Sequence, residues 1–218
     1  MKITDQKYYE PLEQMMAIRH NYMAKVIHSI FKTSIYDFFL IKKLLDLVCG
    51  TGNFLNNYFE LGSICTGVDS YNNFQIKNKK NFKLLNTDII DFLKNNKLKF
   101  DVIFLYEFLE HLSESQRKIL FKNLSKILNS NGIIFISTLN KNSISKFLSI
   151  NVAENILSLL PKNTHDPKLF IKPIELESLA KIHKLKIKSV QGIAYNPILK
   201  TFKLSNIDLV NYFATLIN

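Results

Sequence analysis

From Lys43 onward, short apolar runs alternate with amphipathic stretches, the pattern of βαβ units feeding a parallel sheet. It predicts strands at Leu44–Val48, Ile64–Val68, Phe82–Leu85, Phe100–Tyr106 and Gly132–Ser137. Helices are expected near Asn53–Glu60, Asp88–Lys94 and Ser115–Leu128, with at most a short one within Tyr71–Lys79. Ser113 or Glu114 can cap the third helix, and Asn131-Gly132 marks the turn into the next strand. Ahead of the first strand, Glu10–Ser29 reads as a helix. In the last third, Lys186–Tyr195 and Leu209–Ile217 read as strands separated by Asn196-Pro197 and a polar stretch, with no helix between them. Without a crossover helix their pairing must be antiparallel. The expectation is one α/β domain over residues 1–218, with a mostly parallel sheet, helices on both faces and a C-terminal antiparallel hairpin.

One segment does not fit the alternation. Within an insert at about residues 142–162, Val152, Ala153, Ile156, Leu157, Leu159 and Leu160 share one helical arc, while Asn151, Glu154, Asn155 and Ser158 share the other. Such a face packs on a core or meets lipid.

Composition narrows the class. At 218 residues the chain can bury a sizeable core. Cys49 and Cys65 make no disulfide framework, and no zinc-type spacing occurs, which suits a reducing cytosol. No apolar run approaches the ~20 residues that span a bilayer, and the N-terminus lacks a signal-peptide pattern. The net charge of +11 invites a polyanion partner, yet the lysines are scattered and arginine occurs only at Arg19 and Arg117. AT-rich coding accounts for the same mixture of Asn, Ile and Lys, so no nucleic-acid partner is expected.

The candidate chemistry lies at predicted strand ends. Asp46-Leu47-Val48-Cys49-Gly50-Thr51-Gly52 closes the first strand; Gly50 and Gly52 let a ligand approach the main chain, and the following helix offers free N–H groups. Asp69 ends the second strand and can accept from both ribose hydroxyls. Asp88 can accept from an adenine amino group while Ile89 packs on the ring, or Asp88 can simply cap its helix. The dinucleotide fingerprint would want glycine where Leu55 stands, so a nicotinamide cofactor fits less well than S-adenosylmethionine. After the fourth strand, Glu107, Glu110 and His111 would share one face of a helix at i, i+3 and i+4. They could hold a divalent ion such as Mg²⁺ or supply a general base, or merely complement a helix dipole. His165, beside Asp166, is a second candidate base.

Several blocks outside the glycine loop carry a more specific likeness: Tyr106–Leu112, Ser137–Asn142, Leu160–Asp166, Phe170–Pro173, Tyr195–Pro197 and Thr201–Leu204. In order and spacing they resemble the ubiquinone-biosynthesis O-methyltransferases, whose fold is the Rossmann-like class I S-adenosylmethionine-dependent methyltransferase fold. The likeness covers Lys43–Asn218 and touches Met16–Met23, and is poorest at Tyr71–Lys83. It implies methylation of phenolic or catechol hydroxyls on polyprenylated ubiquinone precursors, of the 2-polyprenyl-6-hydroxyphenol and 3-demethylubiquinol types. It also implies divalent-metal assistance, for which Glu107, Glu110 and His111 are the candidate ligands. By motif, Arg19 takes the role of an arginine that contacts the cofactor, Asp69 the ribose contact, and Val48 and Tyr106 line the cofactor site. Because such a substrate lives in the bilayer, the expected location is cytoplasmic and peripheral to the inner membrane, with contact through residues 142–162 and a ubiquinone-biosynthesis complex as a possible partner. Three departures stand out: Val48 replaces the first glycine of the family loop, a tryptophan-rich N-terminal stretch is missing, the chain having no Trp, and the helix after Asp69 is shortened. The alternatives are a methyltransferase for another substrate class, such as nucleic acid, and a catalytically weak lipid- or cofactor-binding relative.

Overall fold

Five strands run parallel, with helices packed on the two faces of the sheet. The computed structural model describes residues 9–146, 166–196, 199 and 201–218, with side chains from residue 15 onward. Two helices, α1 (Tyr9–Phe31) and α2 (Ile35–Phe39), precede β1 (Lys43–Leu47); then come α3 (Asn53–Glu60), β2 (Ile64–Asp69), β3 (Phe82–Asn86), α4 (Ile89–Asn95) and β4 (Phe100–Tyr106). After α5 (Glu114–Ile127) and β5 (Leu128–Leu139) follow α6 (Ser143–Lys146), α7 (Pro173–Ile182), β6 (Lys186–Asn196), β7 (Thr201–Ser205) and β8 (Asn211–Ile217). The strand order is β3-β2-β1-β4-β5-β8-β6-β7. β1 to β5 pair in parallel, β8 is antiparallel to both β5 and β6, and β7 is antiparallel to β6. The chain leaves β1 toward β2 and returns to β4 on the other side, so a crevice opens at the carboxyl ends of β1 and β4.

Successive residues of a strand point to opposite faces, and the core divides accordingly. Leu45, Leu47, Ile103 and Leu105 face the layer containing Leu120 and Phe121 of α5 and Leu176 of α7. Leu44, Phe104 and Phe135 face Tyr22 and Met23 of α1, Phe39 of α2 and Leu55 of α3. Tyr22 fastens α1 to the sheet: its ring stacks on Phe213 at 4.8 Å and its hydroxyl lies 2.7 Å from Thr215 Oγ1. The helices start where local chemistry allows. Ser113 and Gln116 form a reciprocal capping box on α5, Asp88 caps α4, and Gly52, in a left-handed conformation, opens α3.

The predicted parallel order and the antiparallel C-terminal strands agree with this architecture. α2, α7 and β7 are additions to the sequence expectation, β5 is longer than predicted, and no helix forms within Tyr71–Lys79. Among the described residues no helix is long and apolar enough to cross a membrane. His165 and the amphipathic stretch beyond Lys146 lie outside the described residues.

Gly192 in β6 is where the C-terminal half is least tolerant, because a Cβ there would run into the backbone carbonyl of Ile207 in the turn before β8. Gly192→Ala should cost about 2 kcal/mol, read as a lower denaturant midpoint with unchanged slope.

Candidate functional site

The crevice is built on the turn that follows β1. The N–H groups of Val48 and Cys49 both donate to the carbonyl of Val68, at 2.9 and 3.1 Å. Cys49 is buried against Gly67, where any side chain would collide with its Sγ. Drawn inward this way, the chain takes φ = 77° at Val48, 55° at Gly50 and 84° at Gly52. Glycine adopts these angles freely, but a β-branched residue does not, so Val48 stores roughly 1–3 kcal/mol of strain. The turn presents the Gly50 N–H to Asp69 Oδ2 at 2.8 Å, and the Tyr71 N–H donates to Asp69 Oδ1 at 2.8 Å. Asp69 is thereby fixed, nearly buried, at the end of β2, with lone pairs left over. A side chain at position 50 would meet open space, so this face of the turn fronts the crevice.

Arg19 reaches in from α1. Its guanidinium lies 4.4 Å from the centroid of the Tyr106 ring and 5.9 Å from that of Phe54, and Nη2 sits 3.9 Å from Glu107 Oε1. Its Nε is buried without a hydrogen-bond partner, an open donor in a mostly buried side chain. Asp46 is 4% exposed, and burial pushes its carboxyl up to about 7; Arg19 opposes that shift and Asp69 adds to it. Tyr106, at the end of β4, donates to Met23 Sδ at 3.3 Å, and burial holds its hydroxyl far from ionising.

The segment after β4 departs from expectation. Glu107 takes φ = 51°, which breaks the chain direction, and only Leu109–His111 coils, as a 3-10 turn. Glu107, Glu110 and His111 therefore do not share an α-helical face: Glu110 is fully buried while His111 is exposed. Among the described residues no three acidic, histidine or cysteine side chains could together hold a metal ion. What the turn does bring together is a pair of carboxyls on two hydroxyls of β5. Ser137 donates to Glu107 Oε1 at 2.7 Å and Thr138 to Glu110 Oε2 at 2.8 Å. Burial, then the neighbouring Glu107, raises the Glu110 carboxyl well above the usual carboxylate range. Arg117 holds the turn in place, its Nε and Nη2 donating to the Leu109 carbonyl at 3.0 and 2.8 Å. Asp88 caps α4, accepting from the N–H groups of Ile90 and Asp91, and stays exposed, with Ile89 buried beside it.

With this geometry the comparisons with known proteins agree. A methyltransferase domain model matches residues 15–183. Among solved structures, a plantazolicin methyltransferase in complex with a substrate analogue and SAH superposes with a TM-score of 0.68 at 14% identity, covering 98% of this chain and 88% of that one. A magnesium protoporphyrin IX methyltransferase from Synechocystis with bound SAH gives 0.60 at 11%, covering 100% and 88%. These share the fold. In sequence, the ubiquinone biosynthesis O-methyltransferase of Pelagibacter ubique is 36% identical over 96% of this chain and 89% of its own length. That of Escherichia coli is 31% identical over 94% and 83%. The chain belongs to the ubiquinone biosynthesis O-methyltransferase family.

Membership makes it an S-adenosylmethionine-dependent O-methyltransferase. Asp46, Val48, Gly50, Asp69, Tyr106 and Glu107 stand at or just beyond the carboxyl ends of β1, β2 and β4, with Arg19 reaching Tyr106 and Glu107 from α1; Asp88 and Ile89 stand beyond β3, at the start of α4, and Gly52 at the start of α3. Sequence reasoning missed Ser137 and Thr138 as carboxyl holders, Phe54 under Arg19, and Arg117. The visible signal for the first two was a pair of hydroxyl residues closing an otherwise apolar strand.

Asp46 yields a pH prediction. Its folded pKa lies above its ordinary value of 3.8, so the folded state binds the proton more tightly and the associated stability is present at low pH and lost as pH rises toward about 7. Without ligand, the melting temperature should fall between pH 5 and pH 8. Asp46→Asn should flatten that slope, the difference amounting to a few kcal/mol, roughly 1.4 per pH unit. Parallel pH profiles of the two proteins would refute the assignment.

Proposed function

We propose that the crevice binds S-adenosylmethionine and transfers its methyl group to a phenolic hydroxyl of a polyprenylated ubiquinone precursor. The observation that carries this reading is the charge pattern. Asp46, Asp69, Glu107 and Glu110 stand at or just beyond the ends of adjacent strands, with the Arg19 guanidinium near Asp46 and Glu107 and that of Arg117 near Glu110. Such a crevice suits a ligand bearing two cationic centres, a diol and one carboxylate. Asp69, oriented by Gly50 and Tyr71, accepts from the ribose hydroxyls. Arg19 offers its guanidinium to the methionine carboxylate, and Asp46 faces the ammonium. Asp88 keeps acceptor capacity for the adenine amino group after capping α4.

Methyl transfer is an in-line displacement. The phenol oxygen bonds to the methyl carbon, the carbon–sulfur bond breaks, and S-adenosylhomocysteine leaves with the electron pair. Holding the oxygen against the methyl group supplies much of the rate. The phenol proton, near pKa ~10 in water, must still go to a base. Glu107, the accessible member of the carboxyl pair, is placed to take it, with Ser137 and Arg19 fixing its orientation. His165 is the alternative, as expected from sequence. Glu107, Glu110 and His111 do not fit a shared metal ion in this arrangement, and no step is assigned to one.

A polyprenyl substrate requires contact with the bilayer. Ile144 on α6 is exposed, as are Ile207 and Leu209 in the turn before β8. Asn142 Nδ2 donates to the Leu209 carbonyl at 2.8 Å and Ser145 Oγ to that of Val210 at 3.3 Å, tying this apolar rim to the root of the 142–162 insert. These exposed apolar residues support a peripheral attachment to the bilayer that holds the substrate.

Mixing the protein with S-adenosylmethionine and a catechol bearing a short prenyl chain should yield the mono-O-methylated product, detected by mass spectrometry. Turnover should persist in chelator, and Glu107→Gln should lower kcat at least ~10²-fold without loss of fold. No transfer to the catechol under conditions where S-adenosylhomocysteine binds would remove the substrate assignment. Absolute dependence on added Mg²⁺ would instead replace the carboxylate route by an ion-assisted one.

A further inference from the structure

At the position where the family loop carries glycine, this chain places a branched side chain in left-handed backbone, and the structure shows where that side chain goes. Cys49 turns inward to the layer beneath α1 and α3, where it packs on Gly67. Val48 goes to the other side, half-buried against the layer that includes Val68, Ile89 and Leu109. Leu85, Ile90 and Phe108, also half-buried, border the same layer, so Val48 belongs to an apolar rim at the carboxyl ends of β1, β3 and β4.

The two polar ends of the crevice lie on either side of this residue. Two positions before it, Asp46 looks toward Arg19; two positions after it, the Gly50 N–H holds Asp69. A nucleoside sulfonium whose ribose is held by Asp69 and whose amino-acid tail is held by Arg19 and Asp46 must cross the main chain at position 48. There a glycine would let it lie on the backbone, and an isopropyl group holds it off.

We infer that Val48 is an affinity-determining residue that keeps the binding of S-adenosylmethionine, and equally of its product S-adenosylhomocysteine, weaker than the rest of the crevice would permit. The inference rests on the cofactor reading above. Since donor and product share the adenosine, ribose and amino-acid groups that cross position 48, the effect is common to both. The strain at Val48 is present with and without ligand, so the affinity change comes from bulk and is separable from the stability change. Glycine removes both the strain and the bulk, alanine removes most of the bulk but keeps the disfavoured backbone angle, and leucine keeps the angle and extends the bulk.

Calorimetric titration of S-adenosylhomocysteine and S-adenosylmethionine into the wild-type protein, Val48→Gly, Val48→Ala and Val48→Leu tests this, with melting curves alongside. Val48→Gly should bind both ligands at least ~10-fold more tightly, about 1.4 kcal/mol. Val48→Ala should fall between it and wild type while melting lower than Val48→Gly, and Val48→Leu should bind more weakly than wild type. Should Val48→Gly fail to fold, the order of Val48→Ala, wild type and Val48→Leu carries the same information. Equal affinities across the series, or tighter binding by the larger side chains, would overturn the inference while leaving the cofactor reading intact. If neither wild type nor any folded variant bound at millimolar ligand, the cofactor reading itself would fail.

Discussion

The carbonyl oxygen of Val68 accepts hydrogen bonds from both Val48 and Cys49, and the geometry of the crevice follows from that shared acceptor. Two consecutive N–H groups can reach one carbonyl only if the chain stops extending, and Cys49 can then enter the core only because Gly67 carries no side chain. The turn that results is left-handed at three of the five residues from Val48 to Gly52 and delivers the Gly50 N–H onto Asp69. A carboxylate is thereby fixed at the end of β2 by main-chain groups alone, and α3 is started in the direction that closes the back of the crevice. Local strain at Val48 is the cost of this construction, offset by packing on both sides of the sheet.

On that frame the protein assembles more acid than base. Asp46 and Glu107 lie near Arg19, Glu110 near Arg117 and Asp69 beside Asp46, and the structure resolves the excess of carboxyls in two ways. Asp69 and Glu107 are satisfied by donors, from backbone in one case and from Ser137 in the other. Asp46 and Glu110 are pushed by burial toward their protonated forms. The same imbalance describes a ligand, because cationic groups entering the crevice would let Asp46 ionise and give Arg19 the acceptor its Nε lacks. Fold, electrostatics and relatives thus converge on a sulfonium cofactor, whereas the +11 net charge of the whole chain points nowhere in particular.

Legibility in the sequence tracked how local each decision was. α3 (Asn53–Glu60) and β4 (Phe100–Tyr106) were readable to the residue, because periodicity and flanking turn residues agree there. The Asp88 cap was visible for the same reason. The i, i+3, i+4 spacing of Glu107, Glu110 and His111 misled, since a short window cannot separate an α-helix from a 3-10 turn entered through a left-handed residue. α7 has no amphipathic signature beyond Leu176, Leu179 and Ala180 at helical spacing behind Pro173, and β7 offers only two half-buried apolar residues, Phe202 and Leu204. At the site, the residue types and order were legible, but burial was not. That Glu110 is sealed on Thr138 while Glu107 stays open depends on β5, roughly thirty positions away in sequence, and no local pattern encodes it.

The most direct measurement is the affinity for S-adenosylhomocysteine in wild type and in Asp69→Ala, determined by calorimetry on protein whose fold is verified by circular dichroism. The account predicts saturable one-to-one binding by wild type and a loss of at least ~10-fold in the variant, since a carboxylate aimed at two hydroxyls contributes charge-assisted hydrogen bonds worth more than about 1.4 kcal/mol. Unchanged binding in a folded Asp69→Ala protein would place the cofactor elsewhere and contradict the account.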